Sequence, residues 1–234
     1  MSFKFKQFTV HHDKCAMKVG MDGSLLGAWA GKRTDAKKIL DIGTGTGLIA
    51  LMIAQRFEEA EIIGIDIQNS CLKQAQENVD SSPFARRVQI VESALQDFQS
   101  EPFDLIVCNP PFFNRSSKSG EDARDTARHD DTLSFSDLAS HASRLLSPQG
   151  TFALIIPEDR AREFAELAEN NGLHLHRSVQ VRGRVDGPVK RRLYEFGKSY
   201  PREAPELGYL SVEVAPRQWT EEYKALLRDF YIVL

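Results

Sequence analysis

Short apolar runs that alternate with helical segments constrain the fold of this chain more than any other feature. Strands separated by helices must run parallel in one sheet, and helices then cover both of its faces. The pattern therefore predicts an α/β protein with an open, mostly parallel sheet. The predicted strands span residues 37–42, 62–67, 88–91, 103–108, 151–156, 173–181, 192–197 and 209–214, and the predicted helices span 48–57, 71–79, 137–146, 161–170 and 221–230.

One strand pair differs from the others. Residues 173–181 and 192–197 flank the segment RGRVDGP, which is too short for a helical crossover. They are predicted to form a hairpin, which places an antiparallel strand near one edge of the sheet. In open sheets of this kind, ligands bind beyond the carboxyl ends of the parallel strands.

Composition limits the classes of protein that the chain can represent. Its 234 residues suit a single domain whose core needs neither disulfides nor metal. The longest apolar run, 48–54, is too short to cross a bilayer, and the amino terminus has no apolar signal segment. Three cysteines stand far apart in no metal-ligand spacing, which favours separate thiols in a reducing compartment. We expect a cytoplasmic protein without a metal and without membrane contact.

A glycine-rich segment follows the first predicted strand of the central sheet. The sequence DIGTGTG contains Asp41, Gly43, Gly45 and Gly47 and opens the next helix. Glycines let the backbone turn tightly against a ligand, and the helix amino terminus favours a carboxylate or phosphate. A dinucleotide fingerprint would require glycine where Leu48 stands. The spacing resembles instead the first motif of class I S-adenosylmethionine methyltransferases, in which Asp41 would order the loop and reach the methionine amino group.

Two later positions bear on the same cofactor. Asp66 closes the second strand, where a carboxylate can accept hydrogen bonds from both ribose hydroxyls. Many class I enzymes carry an acid after the third strand to bind the cofactor's adenine. Ala94 occupies that position here, so its backbone or a displaced Glu92 would have to supply the contact.

The fourth predicted strand ends in Asn109, Pro110, Pro111 and Phe112. An exocyclic amine conjugated to a ring is a poor nucleophile because its lone pair is delocalised. The Asn109 oxygen and the Pro110 carbonyl can accept its N–H bonds and localise that lone pair. The prolines stiffen the loop, and Phe112 can stack on a planar base. The alternative is a turn that only ends the strand. The glycine segment opens on the same cleft, and this shared position favours a catalytic role for the motif.

The whole chain resembles one bacterial family. The segments FKFKQFTVHHDKCAMKVGMDGSLLGAW, DIGTGTG, NPPFF and ARHDDTLSFSDL are similar to the valine-tRNA adenine N(6)-methyltransferases, which modify the adenine beside the anticodon. The resemblance implies a Rossmann-like class I fold with a mostly parallel seven-stranded sheet. It also implies S-adenosylmethionine as methyl donor, with S-adenosylhomocysteine as product, and tRNA as substrate. We expect a monomeric enzyme with one domain over residues 1–234.

The resemblance also assigns a role to the amino-terminal residues. Residues 1–36 would cover the cofactor and substrate, with Asp22 as the polar contact near the methionine end. A helix-capping turn at Asp22-Gly23 is an open alternative. Met21 stands where the family usually has threonine.

Basic residues in two places are candidates for tRNA contacts. The net charge is −3, yet residues 177–202 carry eight basic side chains against two acidic ones. Lys190, Arg191 and Arg192 are the proposed phosphate contacts of this segment. Arg115 and Arg128, with Lys118 and Arg124, border the catalytic loop. A solvated hairpin and a charge-balanced loop remain the alternatives.

Two other functions fit parts of the pattern. A methyltransferase for a glutamine amide in a release factor would use the same Asn-Pro-Pro-aromatic chemistry. That family usually carries a helical domain before the glycine segment, and about forty residues leave no room for one. A non-catalytic RNA-binding protein is the second alternative, and the intact Asn-Pro-Pro-Phe motif argues against it.

Overall fold

The computed structural model describes residues 1–15, 18–32, 34–110 and 133–233. The chain begins with a short antiparallel hairpin of β1 (Ser2–Lys4) and β2 (Thr9–His11), followed by helix α1 (Met21–Trp29). An isolated bridge between Phe5 and Tyr231 joins the hairpin to the last residues of the chain. The hairpin and α1 are not among the elements expected from the sequence.

A nine-stranded sheet forms the centre of the described structure. Its order is β11-β10-β8-β9-β7-β6-β3-β4-β5. The strands are β3 (Lys38–Ile42), β4 (Glu61–Asp66), β5 (Val88–Glu92), β6 (Phe103–Cys108), β7 (Leu146–Pro157), β8 (His174–Arg184), β9 (Val189–Gly197), β10 (Glu206–Ala215) and β11 (Gln218–Trp219).

The seven-stranded sheet expected from the sequence is confirmed as the part from β5 to β8. Strands β3 to β7 pair in parallel, and β9 pairs antiparallel with both β7 and β8. Strand β10, which contains the predicted strand 209–214, adds to β8 in parallel, and β11, which the sequence did not predict, pairs antiparallel with β10.

Helices lie on both faces of the sheet, because successive apolar side chains of the strands project to opposite faces and both faces must be covered. After α1 come α2 (Leu48–Arg56), α3 (Asn69–Asp80), α4 (Phe135–Leu145), α5 (Glu158–Asn170) and α6 (Glu221–Leu227). In β6, Leu105 and Val107 face one core cluster and Ile106 and Cys108 face the other. Burial on both faces explains why these strands appear in the sequence as continuous apolar runs. None of the helices in the described ranges is long and apolar enough to span a membrane.

The contact between α1 and α2 leaves no room for a side chain at Gly27. A Cβ atom there would lie 2.8 Å from Met52 Sδ and 2.9 Å from Met52 Cβ. We expect Gly27→Val to lower the free energy of unfolding by about 1–3 kcal/mol, because overpacking forces the two helices apart. Denaturant unfolding followed by circular dichroism measures this change.

Gly183→Val is the matched control. A Cβ atom at Gly183 would meet no other atom within 4 Å. The control should change stability by no more than about 0.5 kcal/mol. Equal losses in both variants would show that the helix contact is not the cause.

Candidate active site

The parallel register brings three strand ends to one edge of the sheet. Ile42 of β3 pairs with Ile65 of β4 and with Cys108 of β6. Gly43, Asp66 and Asn109, the residues that come next, therefore lie side by side beyond the strands. The backbone N–H groups of Gly43 and Thr44 both donate to the Ile65 carbonyl, at 2.9 and 3.0 Å.

The glycine segment has the open backbone that its sequence predicts. Gly43, Gly45 and Gly47 have φ angles of +68°, +55° and +80°, a region that other residues rarely adopt. Gly47 is the N-cap of α2, and a Cβ at Gly43 would meet nothing within 4 Å. The segment thus exposes backbone at a helix amino terminus, where a carboxylate is favoured.

Asp41 holds this segment from inside the core. Its side chain is fully buried, and Oδ2 accepts hydrogen bonds from Thr44 Oγ1 at 2.7 Å and from Ala50 N at 3.1 Å. Oδ1 has no hydrogen-bond partner within the described ranges. Burial raises the pKa of Asp41 to about 7, while the two hydrogen bonds act in the opposite direction.

Asp66 lies beside the glycine segment with both carboxylate oxygens engaged by backbone. Oδ2 accepts from Gly45 N at 2.9 Å, and Oδ1 accepts from Gln68 N at 2.9 Å. Each oxygen can accept a second hydrogen bond, and the side chain is partly exposed. An ionised carboxylate only accepts hydrogen bonds, so its two oxygens fit the two hydroxyls of a ribose.

The position after β5 offers backbone rather than a carboxylate. Ala94 is partly exposed, and its carbonyl accepts hydrogen bonds from Asp97 N and Phe98 N at 3.2 and 3.1 Å. Glu92 pairs in register with Asp66 and is exposed. How Ala94 or Glu92 would contact an adenine stays a prediction.

Asn109 and Pro110 follow β6 directly. Asn109 Oδ1 is buried and has no hydrogen-bond partner in the part of the chain that the structure describes. A buried acceptor of this kind costs free energy unless a donor reaches it, so it points to a ligand that brings N–H groups. Pro111 and Phe112 of the same motif, and Arg115 and Arg128 beyond it, lie outside the described residues.

The start of α1 lies against this motif. A Cβ at Gly23 would stand 3.1 Å from Leu48 Cδ2 and 4.0 Å from Asn109 Nδ2. Gly20, not Asp22, is the N-cap of α1, so the capping alternative for Asp22 is wrong. Asp22 instead accepts a hydrogen bond from Arg191 Nε at 2.7 Å.

The three basic residues of β9 have different environments. Lys190 is exposed, Arg191 pairs with Asp22, and Arg192 is partly buried against Glu158, with Arg192 Nε 2.8 Å from Glu158 Oε2. Two of the three proposed phosphate contacts thus also bind carboxylates of the protein. Within the described ranges, Lys190 makes no such ion pair, and it is exposed.

Buried amides of α3 hold the amino-terminal segment, a contact that was not predicted from the sequence. Asn78 is buried in α3, where its Oδ1 accepts from His11 N at 2.8 Å. Its Nδ2 donates to His11 O at 2.8 Å and to Thr46 O at 2.9 Å. Gln74, one turn earlier, accepts from Lys14 N at 3.1 Å. Amides spaced four residues apart in an otherwise apolar helix face are the signal that could have indicated this contact.

Cys15 and Cys71 form a disulfide, so the expectation of three separate thiols is wrong for this pair. Cys71 lies on the same face of α3 as Gln74 and Asn78, and it meets the segment at residue 15. A Cβ at Gly45 would stand 3.9 Å from Cys15 Sγ, so the bond lies beside the glycine segment. Residue spacing alone gave no indication that residue 15 passes over α3. Cys108 is a buried free thiol, and burial raises its pKa.

The buried Asp41 carboxyl makes stability depend on pH. Its folded pKa, about 7, lies above the ordinary value of 3.8, so the folded state binds its proton more tightly. Its stabilising contribution is complete below pH 3.8 and is lost as the pH rises to about 7, a change of about 4 kcal/mol. Unfolding experiments should show this loss in the wild type. It should be absent in Asp41→Asn and present in the exposed control Asp80→Asn; the same pH dependence in all three proteins would contradict the assignment.

Comparison with known proteins agrees with this geometry. Residues 23–170 match the family model described as methyltransferase small domain. Among solved structures, a predicted O-methyltransferase from Agrobacterium tumefaciens superposes with a TM-score of 0.64 at 18% identity, over 89% of this chain and 96% of the other. At this identity the likeness shows the class I methyltransferase fold alone. Among the described residues, no group of three His, Cys, Asp or Glu side chains could hold a metal ion.

Relatives of known designation extend over the full chain. A tRNA1(Val) (adenine(37)-N6)-methyltransferase of Parabacteroides distasonis is 44% identical, covering 98% of this chain and 97% of its own. A protein of the same designation from Trichodesmium erythraeum is 45% identical with the same coverage. Identity at this level over the whole length shows the family. The chain belongs to the tRNA1(Val) (adenine(37)-N6)-methyltransferases.

Proposed function

We propose that this protein transfers a methyl group from S-adenosylmethionine to the 6-amino nitrogen of adenine 37 in a valine tRNA. It acts in the cytoplasm as a monomer. The observation that carries the proposal is the buried Oδ1 of Asn109 at the end of β6, beside the glycine segment, which has no hydrogen-bond partner among the described residues. The designation of the relatives supports adenine over a glutamine amide or a non-catalytic RNA-binding role.

The residues at the edge of the sheet fit S-adenosylmethionine, which supplies an electrophilic methyl group on a sulfonium. Asp66 would hold the ribose hydroxyls, and the backbone of Gly43 to Gly47 would lie under the methionine part. Asp41 supports this role because its buried Oδ1 could accept from an ammonium group. Ala94 would meet the adenine through its backbone.

Asn109 and Pro110 would act on the target amine. The Asn109 side-chain oxygen and the Pro110 carbonyl each accept one N–H bond, which draws the nitrogen towards tetrahedral geometry and localises its lone pair. Transfer breaks the sulfonium S–CH3 bond, leaves S-adenosylhomocysteine and places a positive charge on the nitrogen, which then loses one proton to water. Asn109 stays neutral throughout, so it orients and polarises the amine without taking that proton. Pro111 would keep the loop rigid, and Phe112 would stack on the flipped adenine.

Residues 1–36 would cover this site. The hydrogen bonds that join Asn78 to His11 and to Thr46 support this role, because they tie the amino-terminal segment to the end of the glycine segment. The contact of α1 with Asn109 supports it from the other side. Lys190 would meet tRNA phosphates at the rim, with Arg115 and Arg128. Arg191 and Arg192 would contribute less, because Asp22 and Glu158 neutralise them.

Asn109→Ala should slow methyl transfer about 100- to 1000-fold, some 3–4 kcal/mol, because one of two acceptors that act on the amine is lost. Single-turnover transfer at saturating tRNA measures this rate, and calorimetry should show unchanged S-adenosylmethionine affinity. Asn171→Ala, which removes an amide at the end of α5, is the matched control and should transfer normally. A wild-type rate in Asn109→Ala would contradict the mechanism.

Asp66→Ala should weaken S-adenosylmethionine binding by about 1–3 kcal/mol, because ribose hydroxyls lose charged acceptors and Gly45 N loses its partner. Isothermal titration calorimetry measures the dissociation constant. The exposed Asp80→Ala variant of α3 controls for loss of a surface charge. Equal affinities in the wild type and Asp66→Ala would remove Asp66 from the cofactor site.

A further inference from the structure

One face of the sheet at β8 and β10 is open, although the other is buried. Strand register sets Tyr209 of β10 opposite Gln180 of β8, and Gln180 opposite Arg192 of β9. Residues opposite each other project to the same side. We call this side the outer face; it comprises Gln180, Arg182, Arg192, Leu207 and Tyr209.

The outer face exposes large apolar side chains. Leu207 is 72% exposed and Tyr209 is 69% exposed, whereas Leu210 and Val212 on the reverse side belong to the core. Helix α5 reaches β9 on the outer side, where Tyr194 Oη donates to Ala161 O at 3.3 Å. Because Leu207 and Tyr209 are exposed, neither α5 nor any other described residue covers the outer side of β10 at these positions.

The side chains on the outer face suit planar, anionic partners. The guanidinium of Arg182 lies 5.5 Å from the centre of the Tyr209 ring. Arg182 has no acidic partner in the described ranges, and its buried Nε makes no hydrogen bond there. A tyrosine ring and a guanidinium plane both stack on bases of any sequence, and open sheets with exposed aromatic rings are a common RNA platform.

Register also aligns the outer face with the catalytic loop. Cys108 pairs with Leu154, Leu154 with Tyr194, Tyr194 with Ser178, and Ser178 with Leu207, which forms one row across five strands. Tyr209 therefore lies level with Pro110, two residues beyond this row. Four strand spacings separate β6 from β10, about 19 Å. An RNA whose target adenine is bound at Asn109 can reach Tyr209 with nucleotides near that adenine.

We propose that the outer face is a stacking platform for unpaired bases of the substrate RNA, with Tyr209 as its central ring. The proposal rests on the proposed function, because it takes RNA as the substrate. The local excess of basic residues over 177–202 supports RNA as the occupant. Arg182 has no acidic partner among the described residues, and the phosphates of an RNA would supply its counter-charge.

The test compares Tyr209→Ala and Tyr209→Phe with Tyr200→Ala. Tyr200 is a matched control, because it is 75% exposed but stacks on His174 at the start of β8, away from Asn109. Fluorescence anisotropy would give the dissociation constant for an anticodon stem-loop and for a fully paired duplex of equal length. Steady-state transfer would give KM and kcat for tRNA.

Tyr209→Ala should weaken stem-loop binding and raise the tRNA KM about 10-fold, with unchanged kcat and cofactor affinity. Duplex binding should not change, Tyr209→Phe should restore wild-type values, and Tyr200→Ala should behave as wild type. Unchanged stem-loop binding by Tyr209→Ala, or an equal loss for the duplex, overturns the proposal. A shift from dimer to monomer in Tyr209→Ala with unchanged RNA binding also overturns it. Failure of the wild type to methylate tRNA would instead refute the proposed function.

Discussion

The parallel register of β3 with β4 and β6 is the constraint on which the rest of the site depends. These strands are buried on both faces, so a slip by one residue would move Asp41 and every apolar side chain of β3 to the wrong layer. Core packing therefore fixes the positions of Gly43, Asp66 and Asn109 before any of them contacts a ligand. The two hydrogen bonds to the Ile65 carbonyl then turn the glycine segment towards Asp66. Strand register and these backbone hydrogen bonds, together with the side-chain contacts of Asp41 and Asp66 to the glycine segment, thus preorganise the site.

The same edge of the sheet contains buried polar atoms that lower the free energy of unfolding and that a purely structural turn would not need. Asp41 and Asn109 belong to adjacent strands, and each has a buried oxygen without a partner in the described structure. Such atoms lose hydration on folding and gain nothing until a donor arrives. Burial holds the pKa of Asp41 near 7, although Thr44 and Ala50 donate to it. In the proposed function these two acceptors would receive the ammonium and amine donors, and the stability of the surrounding core offsets the cost of burying them.

Sequence patterns located the parts of the fold whose signal is local. Strands β3, β4 and β6 were predictable because strands buried on both faces appear in the sequence as apolar runs. The DIGTGTG and NPP segments indicate the turns that follow β3 and β6. Helix α1 was missed because Gly23 and Gly27 lie within its nine residues, and glycine has a low intrinsic preference for helix. The contacts of Asn78 with His11 and the disulfide of Cys15 join residues more than 50 positions apart. Their geometry depends on how the amino-terminal segment crosses α3, which neither spacing nor composition encodes.

Strand β9 shows why a basic segment is a poor measure of nucleic-acid affinity. Neighbouring residues of a strand project to opposite faces, so Arg191 reaches Asp22 of α1 while Arg192 reaches Glu158 of α5. The two ion pairs attach helices to both faces of the sheet, next to the edge where the parallel strands end. They occupy two positive charges that the sequence alone would suggest are available to bind RNA. With a net charge of −3, the protein also has no strong overall field to attract a polyanion. RNA binding would then depend on a few local cations together with the proposed stacking at the outer face. Discrimination between RNAs would rest on the shape of their unpaired bases rather than on phosphate contacts.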